Sequence, residues 1–227
     1  MPFTFSHPAI ILPLTYLPRR WFSLNGLVIG SLTPDFEYFI RMKVQSNFGH
    51  SISGLFWFDL PLGIMLAFIF HNMVRDSLFK NLPSILNQRL IRFTKFDWNR
   101  CFRENWIEVT ISILIGAASH IFWDSFTHEH GYFVNLISGL TNRIEVQGIQ
   151  IPIYRLLQHV STLAGALIIA IWILRLTRDN KVTGQINVKY WAVWIFVTVL
   201  IITARVAAGL DKGYAQIIVI GISAGFR

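Results

Sequence analysis

Charge is scarce in this chain. Only 14% of its 227 residues are Asp, Glu, Lys or Arg, against 53% hydrophobic. A soluble domain carries about 25% charged residues, so an ordinary water-soluble globule is excluded. Cysteine is scarcer still: Cys101 stands alone, which rules out an intrachain disulfide and a metal site built from several thiolates. Cys101 itself reads as an incidental thiol in a basic loop. The opening MPFTFSHPAI lacks a basic n-region and a small-residue cleavage site, so no removable signal peptide is expected and the first membrane segments must do the targeting. A nucleophile elbow, a P-loop lysine motif and a dinucleotide glycine fingerprint are also missing. No internal repeat or low-complexity tract occurs. No basic and aromatic module stands apart from the apolar segments, so nucleic acid is not an expected partner despite the net charge of +8.

What the chain has is a series of apolar stretches near the ~20 residues that cross a bilayer. They fall at roughly 22–40, 52–74, 107–126, 156–176, 190–210 and 214–226. The expected fold is all-α: a polytopic membrane helical bundle of about five to six segments, forming a single membrane-embedded domain over 1–227. The first segment is interrupted by Pro34, Asp35 and Glu37. The last is too short to span alone, and reads as a half-helix or as a span that the natural chain continues. The Trp residues lie mostly near segment ends, as an interfacial aromatic belt requires.

Orientation follows from the loops. Seven of the twenty Lys and Arg lie between Arg75 and Arg103, against three acids in 75–106. Arg19 and Arg20 precede the first segment, and Arg175, Arg178, Lys181 and Lys189 surround the fourth connection. Every second loop is basic, which places those loops in the cytoplasm. Within 75–106, Leu82, Ile85, Leu86, Leu90 and Phe93 recur at helical spacing beside Arg89 and Arg92. That pattern reads as a basic amphipathic helix on an anionic membrane surface, or as a short helix packed on the bundle.

The stretch SHIFWDSFTHEHG (119–131) concentrates His120, Asp124, His128 and His130 behind an apolar run. On a helix His120 and Asp124 share one face, which His128 continues. Imidazole nitrogen with carboxylate oxygen suits zinc or a similar divalent ion. Asp35, His50 and His159 also sit at segment ends, and the loop charges put all of these residues on the non-cytoplasmic side. Ionisable groups at membrane depth default to function, so a metal site is expected there. His71 reads as a capping or interfacial residue. Asp59, in WFDLP, lies nine residues beyond His50, about 13 Å of helix. It reads as a structural pairing partner or as a proton-carrying carboxylate. Arg205 reads as snorkelling to the interface or as a phosphate contact.

The opening MPFTFSHPA, the motif GSLTPDFEYF, the GHS at 49–51 and the H-x3-D helix together resemble a bacterial membrane family, domain of unknown function 4184, over nearly the whole chain. That family is similar in motif order to inner-membrane metal-dependent hydrolases. More distantly it resembles the zinc-dependent phospholipases C and single-strand zinc nucleases. The resemblance implies a bacterial inner-membrane location and metal ligands at His7, Asp35, His50, His120, Asp124 and His128; residue type and position add His130, His159 and Asp59 as further candidates. The soluble enzymes have an additional H-x3-E pair, whereas here His159 is followed four positions later by Leu163. One or two zinc ions are therefore expected rather than three. His7 conflicts with the loop charges, which put the N-terminus in the cytoplasm. Either 8–18 is a re-entrant piece, or the first segment does not cross; alternatively His7 is a buried polar contact.

The function expected on this basis is a membrane-embedded metal-dependent hydrolase acting on a phosphoester or lipid-linked substrate at headgroup depth. Asp35 would serve as bridging ligand or general base. The alternatives are a metal-binding membrane protein without turnover, a small transporter, or a scaffold that has lost its metal.

Overall fold

The apolar stretches fold mainly as helices in the computed structural model, which describes residues 3–18, 21–43, 45–146, 148–181 and 186–207. Three helical stretches are long and apolar enough to cross a membrane: Ile52–Asn81, Trp106–Leu136 and Ile153–Arg175. The second consists of the Trp106–Thr127 helix and, past a tight turn, the short Tyr132–Leu136 helix. A fourth helix, Val188–Ala207, contains a shorter apolar stretch. The expected segment 214–226 and the Arg205 side chain lie outside what is described.

The expected segment 22–40 is two helices rather than one, Leu24–Gly30 and Thr33–Arg41. Pro34 opens the second of them. Proline has no N–H to give the preceding turn and disfavours helix in the residue before it, so the chain breaks at Ser31 and Leu32. Ahead of it, Pro8–Ile11 and the 3-10 turn Leu12–Tyr16 run beside the Ile153–Arg175 helix. There Ser6 packs against Gly165 and Trp172 packs on Ile11, Leu12 and Leu27. The backbone N–H of Phe3 donates to Thr162 Oγ1 at 3.1 Å. Residues 7–18 and 21–31 are therefore the two arms of a hairpin that leaves and returns to the same end of the bundle.

Glycine sets how closely this hairpin approaches. Leu24–Gly30 lies on the Trp106–Thr127 helix, and a Cβ at Gly30 would overlap the Ile113 carbonyl oxygen. A Cβ at Gly116 would overlap the Leu27 carbonyl oxygen and lie 2.7 Å from the Ser31 nitrogen. Small residues of this kind let two helices touch backbone to backbone, the packing favoured where lipid offers no hydrophobic drive between helices. Ser23 caps the shorter helix by accepting from Gly26 N–H, and its own N–H donates to Ser112 Oγ at 2.8 Å.

The Ile52–Asn81 helix packs on the other side, with Ala67, Val109, Ile113 and Trp98 as its core. It contains two wide five-residue turns, Leu55–Asp59 and Phe70–Val74. Near the second, His71 stacks on Trp98 with centroids 4.9 Å apart, and its Nδ1 lies 3.1 Å from buried Arg75. Arg75 in turn donates to the Phe96 and Thr94 carbonyls. His71 is an interior clamp rather than an interfacial cap.

The basic connection carries the helices Ser84–Leu90 and Trp98–Glu104. Its Arg89 is buried, donating to the Leu174 carbonyl at 3.1 Å and to the Ile85 carbonyl at 2.6 Å. Carbonyls in the last turn of a helix lack intrahelical donors, and the guanidinium supplies one to the end of the Ile153–Arg175 helix. Arg89 thus faces the bundle, not the membrane surface. An antiparallel ribbon, Arg143–Val146 with Ile149–Pro152, joins the Trp106–Leu136 stretch to the Ile153–Arg175 helix and departs from an all-helical expectation. Its alternating β-branched residues favour strand, and Gly148 takes a positive φ of 80° at the turn.

Candidate metal centre

The glycine contact between the two helices fixes the first ligand. One turn beyond Gly116, fully buried His120 points its Nδ1 at the Ser31 carbonyl oxygen, 2.7 Å away. A carbonyl only accepts, so Nδ1 carries the proton and Nε2 presents its lone pair. That lone pair faces two carboxylates, Asp35 Oδ1 at 3.5 Å and Asp124 Oδ2 at 3.4 Å. Asp124 is on the same helix one turn on; Asp35 is in the first turn of Thr33–Arg41.

His50 closes the set from the loop ahead of the Ile52–Asn81 helix. Its Nε2 lies 3.5 Å from Asp35 Oδ1 and 3.4 Å from Asp124 Oδ2. The four donor atoms all fall within 4.8 Å of one another. Neighbouring ligands on a tetrahedral ion with bonds of ~2.1 Å are separated by about 3.4 Å, which matches the four imidazole–carboxylate separations of 3.4–3.5 Å. Three of the four, Asp35 Oδ1, His50 Nε2 and His120 Nε2, are buried without a hydrogen-bond partner. Polar atoms left so are costly unless something else satisfies them. A divalent cation would satisfy all of them together, and the residues fit one.

Asp124 also faces the other way. Its Oδ1 lies 3.5 Å from His7 Nε2 and 3.6 Å from His128 Nδ1. His7 stacks on His120, with centroids 3.6 Å apart and planes 14° from parallel, and neither of its nitrogens has a hydrogen-bond partner. The N-terminal hairpin thus brings His7 to the cluster, against its expected cytoplasmic placement. Asp35 has less freedom, since its Oδ2 accepts from Thr4 Oγ1 at 2.5 Å.

Electrostatics matches a cation site. Burial opposes ionisation of Asp35, but His120 and His50 outweigh it and hold the carboxyl well below its usual range. Burial likewise lowers the His50 pKa, yet the neighbouring Asp124 and Asp35 carboxylates raise it overall. His7 behaves oppositely: burial, aided by His120, pushes it down to about 3 against the pull of Asp124 and Asp35, which keeps its imidazole neutral. Burial and the neighbouring Asp35 and Asp124 hold Tyr38 above the usual phenol range, so this hydroxyl keeps its proton. Its ring lies 5.3 Å from that of His50.

The remaining candidates fall elsewhere. His130 and His159 are exposed and outside the cluster. Asp59 is fully buried in the wide turn of the Ile52–Asn81 helix, with neither oxygen hydrogen-bonded, and is not among the four ligands. Reasoning from residue types passed over Thr4, the Ser31 carbonyl, Glu37, Tyr38 and Ser46. The clue available was that Glu37 and Tyr38 share the GSLTPDFEYF motif with Asp35.

Fold and site together define a mostly helical protein with helices of membrane-crossing length around a buried Asp–His cluster able to hold a metal ion. The chain belongs to the family described as domain of unknown function (DUF4184), whose model matches residues 1–226. No curated protein and no solved structure matches it.

Proposed function

We propose that this protein is a membrane-embedded, metal-dependent hydrolase of the bacterial inner membrane, with five to six membrane segments and a site open to the extracytoplasmic side. The observation that carries the proposal is the convergence of Asp35, His50, His120 and Asp124, three of whose four facing donor atoms are buried without a hydrogen-bond partner. Nitrogen and oxygen ligands at this spacing favour zinc. His7, whose Nε2 faces the far oxygen of Asp124, supplies a ligand for a second position, so that one or two ions are held; His128 can join it only through Nε2, because its Nδ1 lies 3.1 Å from the Asp124 carbonyl oxygen and carries the proton. The bridging role expected of Asp35 suits Asp124 better, because its two oxygens face different pairs of histidines.

A divalent ion bound there would polarise a phosphoryl or acyl group and acidify water. The chain's own residues do the rest. His120 and His7 are the closed floor, whereas the His50 and His128 side chains are 23% and 31% exposed and form the mouth. Substrate enters between them. Tyr38, protonated beside His50, is placed to donate a hydrogen bond to developing negative charge. Asp35 stays ionised and accepts a proton from attacking water.

A lipid-linked or phospholipid ester is the favoured substrate. The site lies at the start of the Ile52–Asn81 helix, where Phe48, Ile52, Trp57 and Trp123 are exposed, and exposed aromatics mark headgroup depth. A metal-binding protein without turnover is the second reading, and buried, unpartnered Asp59 favours it as a step on a transport path.

The test is to assay detergent-purified protein, wild type beside His120→Ala with Asp124→Ala, for bound metal and for release of phosphate or headgroup from a panel of phosphoesters and phospholipids. Metal and turnover both lost in the variant support the hydrolase. Metal bound without turnover on any ester supports the second reading.

A further inference from the structure

The Glu37 carboxylate gathers five donors. Its Oε1 accepts from Asn47 N–H and Arg41 Nε, both at 2.9 Å. Its Oε2 accepts from Phe48 N–H at 2.9 Å, and from Gly49 N–H and the Ser46 hydroxyl at 2.8 Å. Three consecutive backbone N–H groups aimed at one anion make a nest, and Glu37 is only 2% exposed within it. The loop so gathered is the one that delivers His50. From the other side, a Cβ at Gly49 would lie 2.6 Å from the Pro34 carbonyl oxygen. The loop is therefore pressed onto the helix that carries Asp35, one residue before His50.

Ser46 connects this nest to the metal centre. Its hydroxyl has a single proton, and an ionised carboxylate cannot donate, so that proton points to Glu37. Ser46 Oγ also lies 3.1 Å from His50 Nδ1, and towards this nitrogen it can act only as acceptor. His50 Nδ1 must then carry a hydrogen, so that when the ring is neutral or bound to a cation its lone pair is on Nε2, the atom that faces Asp35 and Asp124. His120 reaches the same state through the Ser31 carbonyl.

We infer that Glu37 and Ser46 are positioning residues, forming a carboxylate–hydroxyl–imidazole relay that fixes the tautomer and aim of His50 for a divalent cation. This rests on the metal reading of the cluster. Outer partners of metal-binding histidines act in this way, and removing one costs about 10–100-fold in metal affinity.

The experiment measures zinc affinity by chelator competition, with the thermal midpoint of the metal-free protein, for wild type, Ser46→Ala, Ser46→Thr and Glu37→Gln. Nitrogen-15 NMR of the zinc-loaded, histidine-labelled wild type reads which His50 nitrogen keeps its proton. The expected result is a protonated Nδ1, a loss of about 10–100-fold in zinc affinity for Ser46→Ala with only a small drop in midpoint from the lost hydrogen bond to Glu37, and recovery in Ser46→Thr. Ser46→Ala binding zinc like wild type overturns the relay. So does an affinity loss that tracks a lower midpoint and is not recovered by Thr, since that is loop collapse. If wild type itself takes up no zinc, the metal reading fails instead.

Discussion

The Nδ1 of His120 meets the carbonyl oxygen of Ser31 at 2.7 Å, joining residues 89 positions apart. This single contact couples helix packing to ligand geometry, because the glycines one turn below set its length and it decides which nitrogen faces the carboxylates. Gly30→Ala and Gly116→Ala each place a methyl group into facing backbone, which no rotamer change relieves. Each should lose about 1–3 kcal/mol of stability and weaken metal binding with it. Unfolding in detergent measures the first and chelator competition the second; a fully stable Gly30→Ala protein would show that the helices have room to spare.

Metal stoichiometry separates the two faces of Asp124. Elemental mass spectrometry of purified protein should find one or two divalent ions, and none after His120→Ala with Asp124→Ala. If wild type holds two, His7→Ala should retain one, because the carboxylate oxygen that His7 faces is Asp124 Oδ1, not the Oδ2 that faces His50 and His120. Loss of all metal in His7→Ala would mean that the two positions are one.

Acid should weaken the loop that carries His50. Burial resists ionisation of Glu37, but the N–H groups of Gly49, Asn47 and Phe48 and the Ser46 hydroxyl outweigh it, lowering its pKa from 4.5 to about 2. A depressed carboxylate stabilises the fold fully above its unfolded value and loses that contribution as pH falls through its folded one. The stabilisation from Glu37 is thus present above pH 4.5 and lost towards pH 2. Wild type should melt above Glu37→Gln at pH 6, and the gap should close as pH drops through this window. Parallel melting curves for the two proteins across the window would remove Glu37 from the account.

Asp59 has neither carboxylate oxygen paired and is fully buried, so it costs stability where it stands. Asp59→Val should raise stability by about 1–3 kcal/mol while the metal content stays at the wild-type value. If that variant loses its metal, Asp59 belongs to the site after all.

The proposed orientation predicts a labelling pattern in intact cells. In a Cys101→Ser background, a cysteine at Glu129 should react with a membrane-impermeant maleimide and one at Arg103 should not. The reverse pattern would move the whole site to the cytoplasmic side.

His120 and Asp124 were legible in the sequence because one helical turn brings them together whatever the tertiary fold. Asp35 and His50 could be picked out by residue type and position at segment ends, although nothing in their spacing gave the distances between them. His7 was harder, since loop charge assigns sides on the assumption that each apolar stretch crosses. The N-terminal hairpin breaks that assumption, and Pro13, Pro18 and Pro34 were its only trace. Glu37 and Ser46 escaped notice because their importance lies in backbone N–H groups and hydrogen-bond direction, which residue identity does not encode. His130 and His159 show the converse: ligand-type side chains whose backbone carries them away from the cluster.

The hairpin packed on the Trp106–Thr127 helix also imposes a schedule on biosynthesis. The ribosome delivers His7, Asp35 and His50 well before His120 and Asp124 exist. During that interval Asp35 lacks His120, the stronger of the two imidazoles that hold it ionised, and the glycine surface of Leu24–Gly30 has no helix to meet. The nascent hairpin must therefore wait in a hydrated setting until its partner inserts. On the proposed metal reading, an ion arriving early would find an incomplete set of ligands, so metal capture would belong to the end of assembly and could not guide its beginning.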